Sequence, residues 1–380
     1  MTTNAIRHAL ALWACLLLPV PTFAQTGITD DAIRLGMVNA QSGPASGLGQ
    51  GMLAGAKAVF DAVNLNGGIH GRRIELLVAD DGYEPDQAID QTLAMIEDEQ
   101  VFALFGYVGT PTANAVLPIV REMQVPLVGL FTGAGTLRSP VTREVFNVRA
   151  SYDDEAEAMI AHFLSQGAGT VGVFYQDDGF GKAVLSGTRK ALTRRGMQVH
   201  ATGTFTRNTM AVKQGLADLI RAQPDAIVMV GTYAPLAGFI REARANGLTS
   251  QLATVSFVGS ENLVGALDGA GDGVIISQVV PSPDRKDIAA VNECRDLVHR
   301  HSGQALGFVN LEGCLSAKVM LGGLALAGRD LNREKLITAL ESMKAFDLGN
   351  LTIGFSRDDH QAFKQVFLTQ IVDGRVIRID

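Results

Sequence analysis

The sequence predicts an α/β protein of two doubly wound parallel-sheet units, and three observations point to it. Short β-branched runs alternate with amphipathic helical segments from Ile33 onward, the pattern restarts at Asp153, and 42 glycines supply the tight strand-to-helix turns such a fold needs. A chain of 380 residues is also too long for one ordinary core, so two domains are expected.

In the first unit the strands are Ile33–Val38, Ile74–Ala79, Ala103–Phe105 and Pro126–Gly129. Between them the 3.6-residue period predicts helices over Leu53–Asn64, Pro85–Glu97 and Thr112–Glu122. In the second unit, helices over Asp153–Gln166, Gly181–Arg195, Lys213–Ala222 and Ala237–Asn246 alternate with strands Thr170–Tyr175, Val199–Phe205, Ala226–Val230 and Leu252–Phe257. The remainder predicts one strand, helices over Asp287–His301, Asn310–Gly328 and Arg333–Met343, and a closing strand pair, Phe367–Val372 and Arg375–Ile379, around an Asp373-Gly374 turn. No low-complexity linker separates the units, so the chain is expected to cross between them more than once.

The first 24 residues stand apart. Arg7 without a nearby acid, the apolar run Ala9–Val20 and the small-residue end Pro21-Thr22-Phe23-Ala24 follow the order of a secretory signal, cut near Ala24-Gln25. The run falls short of the ~20 residues that span a bilayer, and an uncleaved anchor is the alternative. Cys15 lies inside the run, where a lipid-modified cysteine should follow it, so no lipoprotein is predicted. Later in the chain no stretch reads as a membrane span. Export leaves Cys294 and Cys314 as the mature cysteines; they sit in two predicted helices, and a disulfide or two buried thiols both remain open.

Composition narrows the function. A net charge of -7, with no basic run longer than Arg72–Arg73 or Arg194–Arg195, makes nucleic acid a poor partner. There is no Gly-x-Ser-x-Gly elbow, no His-Glu-x-x-His and no phosphate-cradling loop. Gly49-x-Gly51-x-x-Ala54 imitates a dinucleotide fingerprint, but a long loop separates it from the first strand and the tight turn is missing. His299 and His301 point apart on a helix and read as a solvated helix end. No enzyme activity, cofactor or metal is expected.

Several loops follow strands at the carboxyl edges of the two sheets, where open α/β folds bind ligands. Asp80-Asp81-Gly82-Tyr83 and Asp177-Asp178-Gly179-Phe180 read as helix caps followed by an aromatic. Gly106–Thr112 opens a helix and offers hydroxyls and backbone N–H groups to an anion. Phe131–Gly135 is a second small-residue loop, and Gly259-Ser260-Glu261-Asn262 places a carboxylate in the other unit. Taken one at a time, each is also explained as an ordinary turn.

In their number and order these segments resemble the leucine/isoleucine/valine-binding protein family, the type I periplasmic binding proteins of ATP-driven importers. The resemblance runs from Ile33 to Asp380 through Gly36–Pro44, Asn66–Gly71, the strand ending Asp80-Asp81, Gly106–Pro118 and Val125–Val128. Tyr175–Gly181, Gly231-Thr232-Tyr233 and Phe257–Glu261 carry it through the second unit.

What the resemblance implies can be taken position by position. Two lobes are joined by three crossover segments: 27–150 plus 281–353 form lobe 1, and 151–280 plus 354–380 form lobe 2. Thr110 stands where a hydroxyl holds a ligand carboxylate, and the loop of Phe131, Thr132 and Gly133 matches a segment of further polar contacts, although Phe131 and Gly133 depart from the usual small and hydroxyl residues. Phe180 and Tyr233 match pocket positions of the second lobe, Glu261 matches the acid that pairs with a ligand ammonium, and Leu48 covers the ligand from the first. With Tyr107, these give an apolar, partly aromatic wall. The implied protein is a periplasmic monomer that closes by a hinge around a hydrophobic or aromatic amino acid, or a related small carboxylate, and delivers it to an ABC permease in the inner membrane. A sensor module for a signalling receptor is the alternative.

Overall fold

The computed structural model describes residues 26–380; the signal expected over residues 1–24 lies outside the described residues. The first unit runs β1 (Ala32–Asn39), α1 (Ser46–Leu65), β2 (Arg73–Asp80), α2 (Pro85–Glu97), β3 (Ala103–Phe105), α3 (Thr110–Glu122), β4 (Leu127–Val128) and β5 (Val145–Phe146). Its sheet is parallel throughout, in the order β2-β1-β3-β4-β5. Strands β3, β4 and β5 are buried at every position because helices cover both faces, which is why they read as short apolar runs without alternation.

The chain then crosses and restarts with α4 (Tyr152–Ser165), β6 (Val171–Gln176), α5 (Gly179–Thr193), β7 (Ala201–Phe205), α6 (Lys213–Ala222), β8 (Ala226–Val230), α7 (Tyr233–Ala245), β9 (Gln251–Thr254), α8 (Ser260–Leu267) and β10 (Ile275–Gln278). Local chemistry sets the starts of these helices. Ser151 and Asp154 form a reciprocal capping box at α4, and Asp178 accepts from the N–H groups of Phe180 and Gly181 at α5. A second crossing leads back to α9 (Ala289–Ser302), α10 (Phe308–Ala327), α11 (Arg333–Glu341) and the small pair β11 (Phe346–Asp347) and β12 (Thr352–Ile353). A third leads to β13 (Phe367–Val372) and β14 (Arg375–Arg378), which pair antiparallel and complete the second sheet, β14-β13-β10-β9-β8-β6-β7.

Two expectations need correction. Residues 354–363, assigned from sequence to lobe 2, pack on the first lobe: Phe355 and His360 meet the Phe146 ring, and the Phe363 N–H donates to the Val148 carbonyl at 2.8 Å. The crossing therefore falls between Phe363 and Phe367. Second, α10 is long and apolar enough to cross a membrane by length and composition, yet most of it is buried as a core helix. It lies so close to α1 that a Cβ on Gly55 would meet the Asn310 carbonyl at 1.9 Å. The apparent dinucleotide fingerprint also serves packing: a Cβ on Gly51 would meet the Val309 side chain of α10 at 2.7 Å, and one on Gly49 the Ala40 carbonyl just after β1 at 1.9 Å.

The cysteine question is answered by a disulfide. Cys294 of α9 and Cys314 of α10 are bonded, with Cα atoms 5.9 Å apart.

Candidate functional site

The two sheets face each other across a cleft that is closed in this structure. On the first lobe, Gly109 caps α3 with φ 105° in a conformation suited to glycine, and a Cβ there would lie 2.3 Å from the Tyr83 ring. Thr110 is thereby placed at the first position of α3, with its Oγ1 2.6 Å from that of Thr132. The Thr132 hydroxyl also donates to the Tyr152 hydroxyl at 3.4 Å. Two buried hydroxyls and a helix N-terminus with its positive dipole end form an arrangement chemically able to hold a carboxylate.

Gly133 explains its own departure from a hydroxyl residue. Its carbonyl accepts the Tyr152 N–H at 2.7 Å, and a Cβ on it would fall 2.5 Å from the Tyr152 ring. The loop thus gives up a polar side chain so that the first crossing can pass closely behind it.

Around the threonines stands a continuous aromatic wall drawn from both lobes. Phe131 lies 5.4 Å from Phe257, Phe180 lies 4.6 Å from Phe257 and 5.3 Å from Tyr152, and Tyr83 lies 6.1 Å from Phe257. Leu48 is buried beside them, touching the loop at Gly259 of the other lobe. Tyr233 sits at the cleft edge, where its hydroxyl accepts the Gly47 N–H at 3.3 Å, across the lobes.

Two residues are placed differently from the sequence expectation. The Tyr107 ring turns away from the cleft into the first lobe, its hydroxyl 2.8 Å from that of Thr92 on α2, because burial obliges the phenol to find a partner. Glu261 reaches across the rim, where its Oε1 accepts the Phe308 N–H at 3.0 Å. The residue as a whole is exposed, but its carboxyl end is tucked against Gly307 and Phe308, and that shielding raises its pKa. It caps α10 of the opposite lobe in place of facing the threonines.

Sequence reasoning missed the charged floor. Arg149, on the first crossing, is fully buried, with its guanidinium carbon 4.6 Å from the centre of the Phe131 ring. It lies 3.5 Å from Glu155 of α4 and 3.6 Å from Glu312 of α10, and donates to the Ser256 hydroxyl. Glu155 is hydrogen-bonded by the Ser256 N–H at 2.8 Å and the Ser277 hydroxyl at 2.6 Å. Burial pushes both carboxyls up, Glu312 to about 7, and Arg149 opposes the shift in each. A charged residue inside an apolar helix such as α10 was the available signal for Glu312.

At the mouth, Glu84 of the first lobe pairs with Arg207 at 2.7 Å and accepts from Asn208 at 2.6 Å in the second. No group of three or more acidic, histidine or cysteine side chains arranged for a metal ion occurs among the described residues.

Comparison with known proteins agrees with this architecture. The periplasmic binding protein family model matches residues 32–375. A Leu/Ile/Val-binding protein, BraC3, from Rhizobium johnstonii is 24% identical over 340 residues, covering 86% of this chain and 88% of the relative. The crystal structure of a possible leucine/isoleucine/valine-binding protein from Rhodopirellula baltica superposes with a TM-score of 0.89 at 33% identity, covering 92% of this chain and 96% of that one. A branched-chain amino acid ABC transporter structure from Thermus thermophilus with bound valine shares the fold, with a TM-score of 0.83 at 17% identity over 93% of this chain and 96% of that one. With two parallel-sheet lobes, three crossings and paired hydroxyls at a helix N-terminus, the chain belongs to the periplasmic binding protein family, in its leucine/isoleucine/valine-binding type.

Proposed function

We propose that the chain is the solute receptor of an ABC importer, exported by residues 1–24, and that it closes around a hydrophobic or aromatic amino acid or a related small carboxylate. The observation that carries this reading is the Thr110–Thr132 hydroxyl pair at the start of α3, enclosed by Phe131, Tyr152, Phe180 and Phe257 from both lobes. A ligand carboxylate would take the two hydroxyls, which now satisfy each other, together with free N–H groups of the first turn. The aromatic wall would take its apolar part.

Because the ligand touches both lobes, it stabilises the closed form by its extra affinity for closed over open. The Tyr233–Gly47, Glu261–Phe308 and Glu84–Arg207 contacts span the lobes and form only on closure. The closed surface of a single copy would then dock on the inner-membrane permease. The Thermus thermophilus protein with bound valine and the Leu/Ile/Val-binding relative support an amino acid as the first class to test.

A thermal-shift screen over amino acids and small aromatic acids tests the reading. A ligand present at 100 times its Kd should stabilise the protein by about 2.7 kcal/mol, a rise of several degrees. If no compound of either class raises the melting temperature, the small-solute assignment fails.

A further inference from the structure

Resting on that solute-binding reading, we propose that Phe257 is the residue that sets how large a ligand the closed cleft accepts, and that it holds the site to acids with short aliphatic side chains in preference to aromatic ones. Phe257 stands in the short turn Ser256–Val258 of the second lobe and is fully buried. Among the described residues two aromatic pairs cross between the lobes, Tyr83–Phe257 at 6.1 Å and Phe131–Phe257 at 5.4 Å between ring centres, and Phe257 is common to both.

Both partners adjoin the threonine seat. The Tyr83 ring lies against Gly109, the residue before Thr110, where a Cβ would meet it at 2.3 Å. Phe131 directly precedes Thr132. Phe257 thus closes towards the two hydroxyls from the opposite lobe. A ligand ring laid between two such faces needs about 3.5–4 Å on each side, or about 7–8 Å from face to face, more than either pair leaves. A short side chain can leave these contacts in place while its carboxylate takes the seat. An aromatic one must break them, and it then holds apart the Tyr233–Gly47 and Glu84–Arg207 contacts of the closed form.

The ring is also held against stepping aside. The Ser256 N–H donates to Glu155 at 2.8 Å, and Arg149 donates to the Ser256 hydroxyl. The N–H groups of Val258 and Gly259 donate to the Val255 and Ser256 carbonyls at 3.0 and 3.2 Å, and Gly259 turns the chain into α8 with φ 73°. Phe180 backs the ring at 4.6 Å within the same lobe. Arg149 and Glu155 thereby act as positioning groups that fix the turn aiming Phe257.

Calorimetry with L-alanine, L-valine and L-phenylalanine, and with the amine-free acids of matching size, propionate, isovalerate and hydrocinnamate, on wild type, Phe257→Leu and Phe257→Ala, tests the proposal. Wild type is expected to bind the short acids of at least one series more tightly than its aromatic member. Phe257→Ala should tighten the aromatic member by about tenfold or more and change the shortest by less than about threefold, with Phe257→Leu between. If Phe257→Ala does not fold, Phe257→Leu carries the same comparison. A ring that served packing alone would, on removal, change every size by the same factor.

Wild-type preference for the aromatic member overturns the assignment. So does a ratio of aromatic to short-acid affinity that is the same in the variants as in wild type. Absence of binding by every compound to all three proteins removes the solute-receptor reading itself, an outcome distinct from ligands that bind with an unchanged ratio.

Discussion

At the floor of the cleft Arg149, Glu155 and Glu312 are shut away from water with several polar atoms left without hydrogen bonds, whereas at its mouth Glu84, Tyr233 and Glu261 cross between the lobes through contacts that water can reach. On the solute-receptor reading proposed above, the difference separates two tasks. A buried charge cluster is intolerant of wrong partners, since an uncompensated charge there costs several kcal/mol, so the floor can discriminate among ligands. Half-exposed contacts are individually weak and reversible, so the mouth can let the lobes part and rejoin.

The comparison breaks most readily at Arg149. Replacing it with Met should leave two buried carboxyls without their shared cation and destabilise the protein by about 3–5 kcal/mol. In thermal unfolding that is a fall of roughly 5–10 °C. A change within one degree would mean that the floor is wetter than its burial implies.

The second test concerns pH. The folded protein keeps a proton on Glu312 up to about 7, while the unfolded chain releases it at the ordinary value near 4.5. Between those values the native state binds more protons, so the Glu312 contribution makes stability fall as pH rises through that window. Unliganded Glu312→Gln should escape this loss, and its melting temperature relative to wild type should climb from pH 5 to pH 8 by the equivalent of about 1–3 kcal/mol. A constant difference would remove the buried ionisation from the account.

The smallest effect belongs to the mouth. Glu84→Ala should raise the ligand Kd by a factor of roughly 2–5, as expected for loss of an exposed ion pair, and the effect should shrink at high salt. A loss of a hundredfold would make the mouth as decisive as the floor and erase the distinction.

Most of the fold was legible in the sequence because its signals are local. The strands Ala103–Phe105 and Ala226–Val230 and the helices Pro85–Glu97 and Lys213–Ala222 occur with the predicted bounds. The Asp373-Gly374 turn takes positive φ at both residues, as its composition suggests. Errors arose where glycine serves packing. Gly47, Gly49 and Gly51 read as a loop, yet they form the first turns of α1 against Asn262, Ala40 and Val309. Helix α8 was missed because Gly259 through Asn262 reads as a turn.

The candidate site was legible only in part. Phe131 and Thr132 in a loop, and Thr110 and Phe180 in the first turns of α3 and α5, all follow a strand closely enough to be placed locally, and the structure brings them together. Arg149 and Glu312 are 163 positions apart and meet only because α10 returns to the first lobe after two crossings. Tyr107 was misread because alternation along its loop does not tell whether a ring faces the cleft or α2.

The Cys294–Cys314 bond carries a consequence for the order of events in the life of the chain. It closes a loop of about 20 residues and is worth about 3 kcal/mol in a loop-entropy account. Cytoplasmic thiols stay reduced, and the family works beyond that compartment. A newly made chain still in the cytoplasm therefore lacks the tie between α9 and α10, the helix that carries Phe308 and Glu312 to the interlobe face. On the export proposed above, the chain gains that increment of rigidity only once it is oxidised outside the cytoplasm.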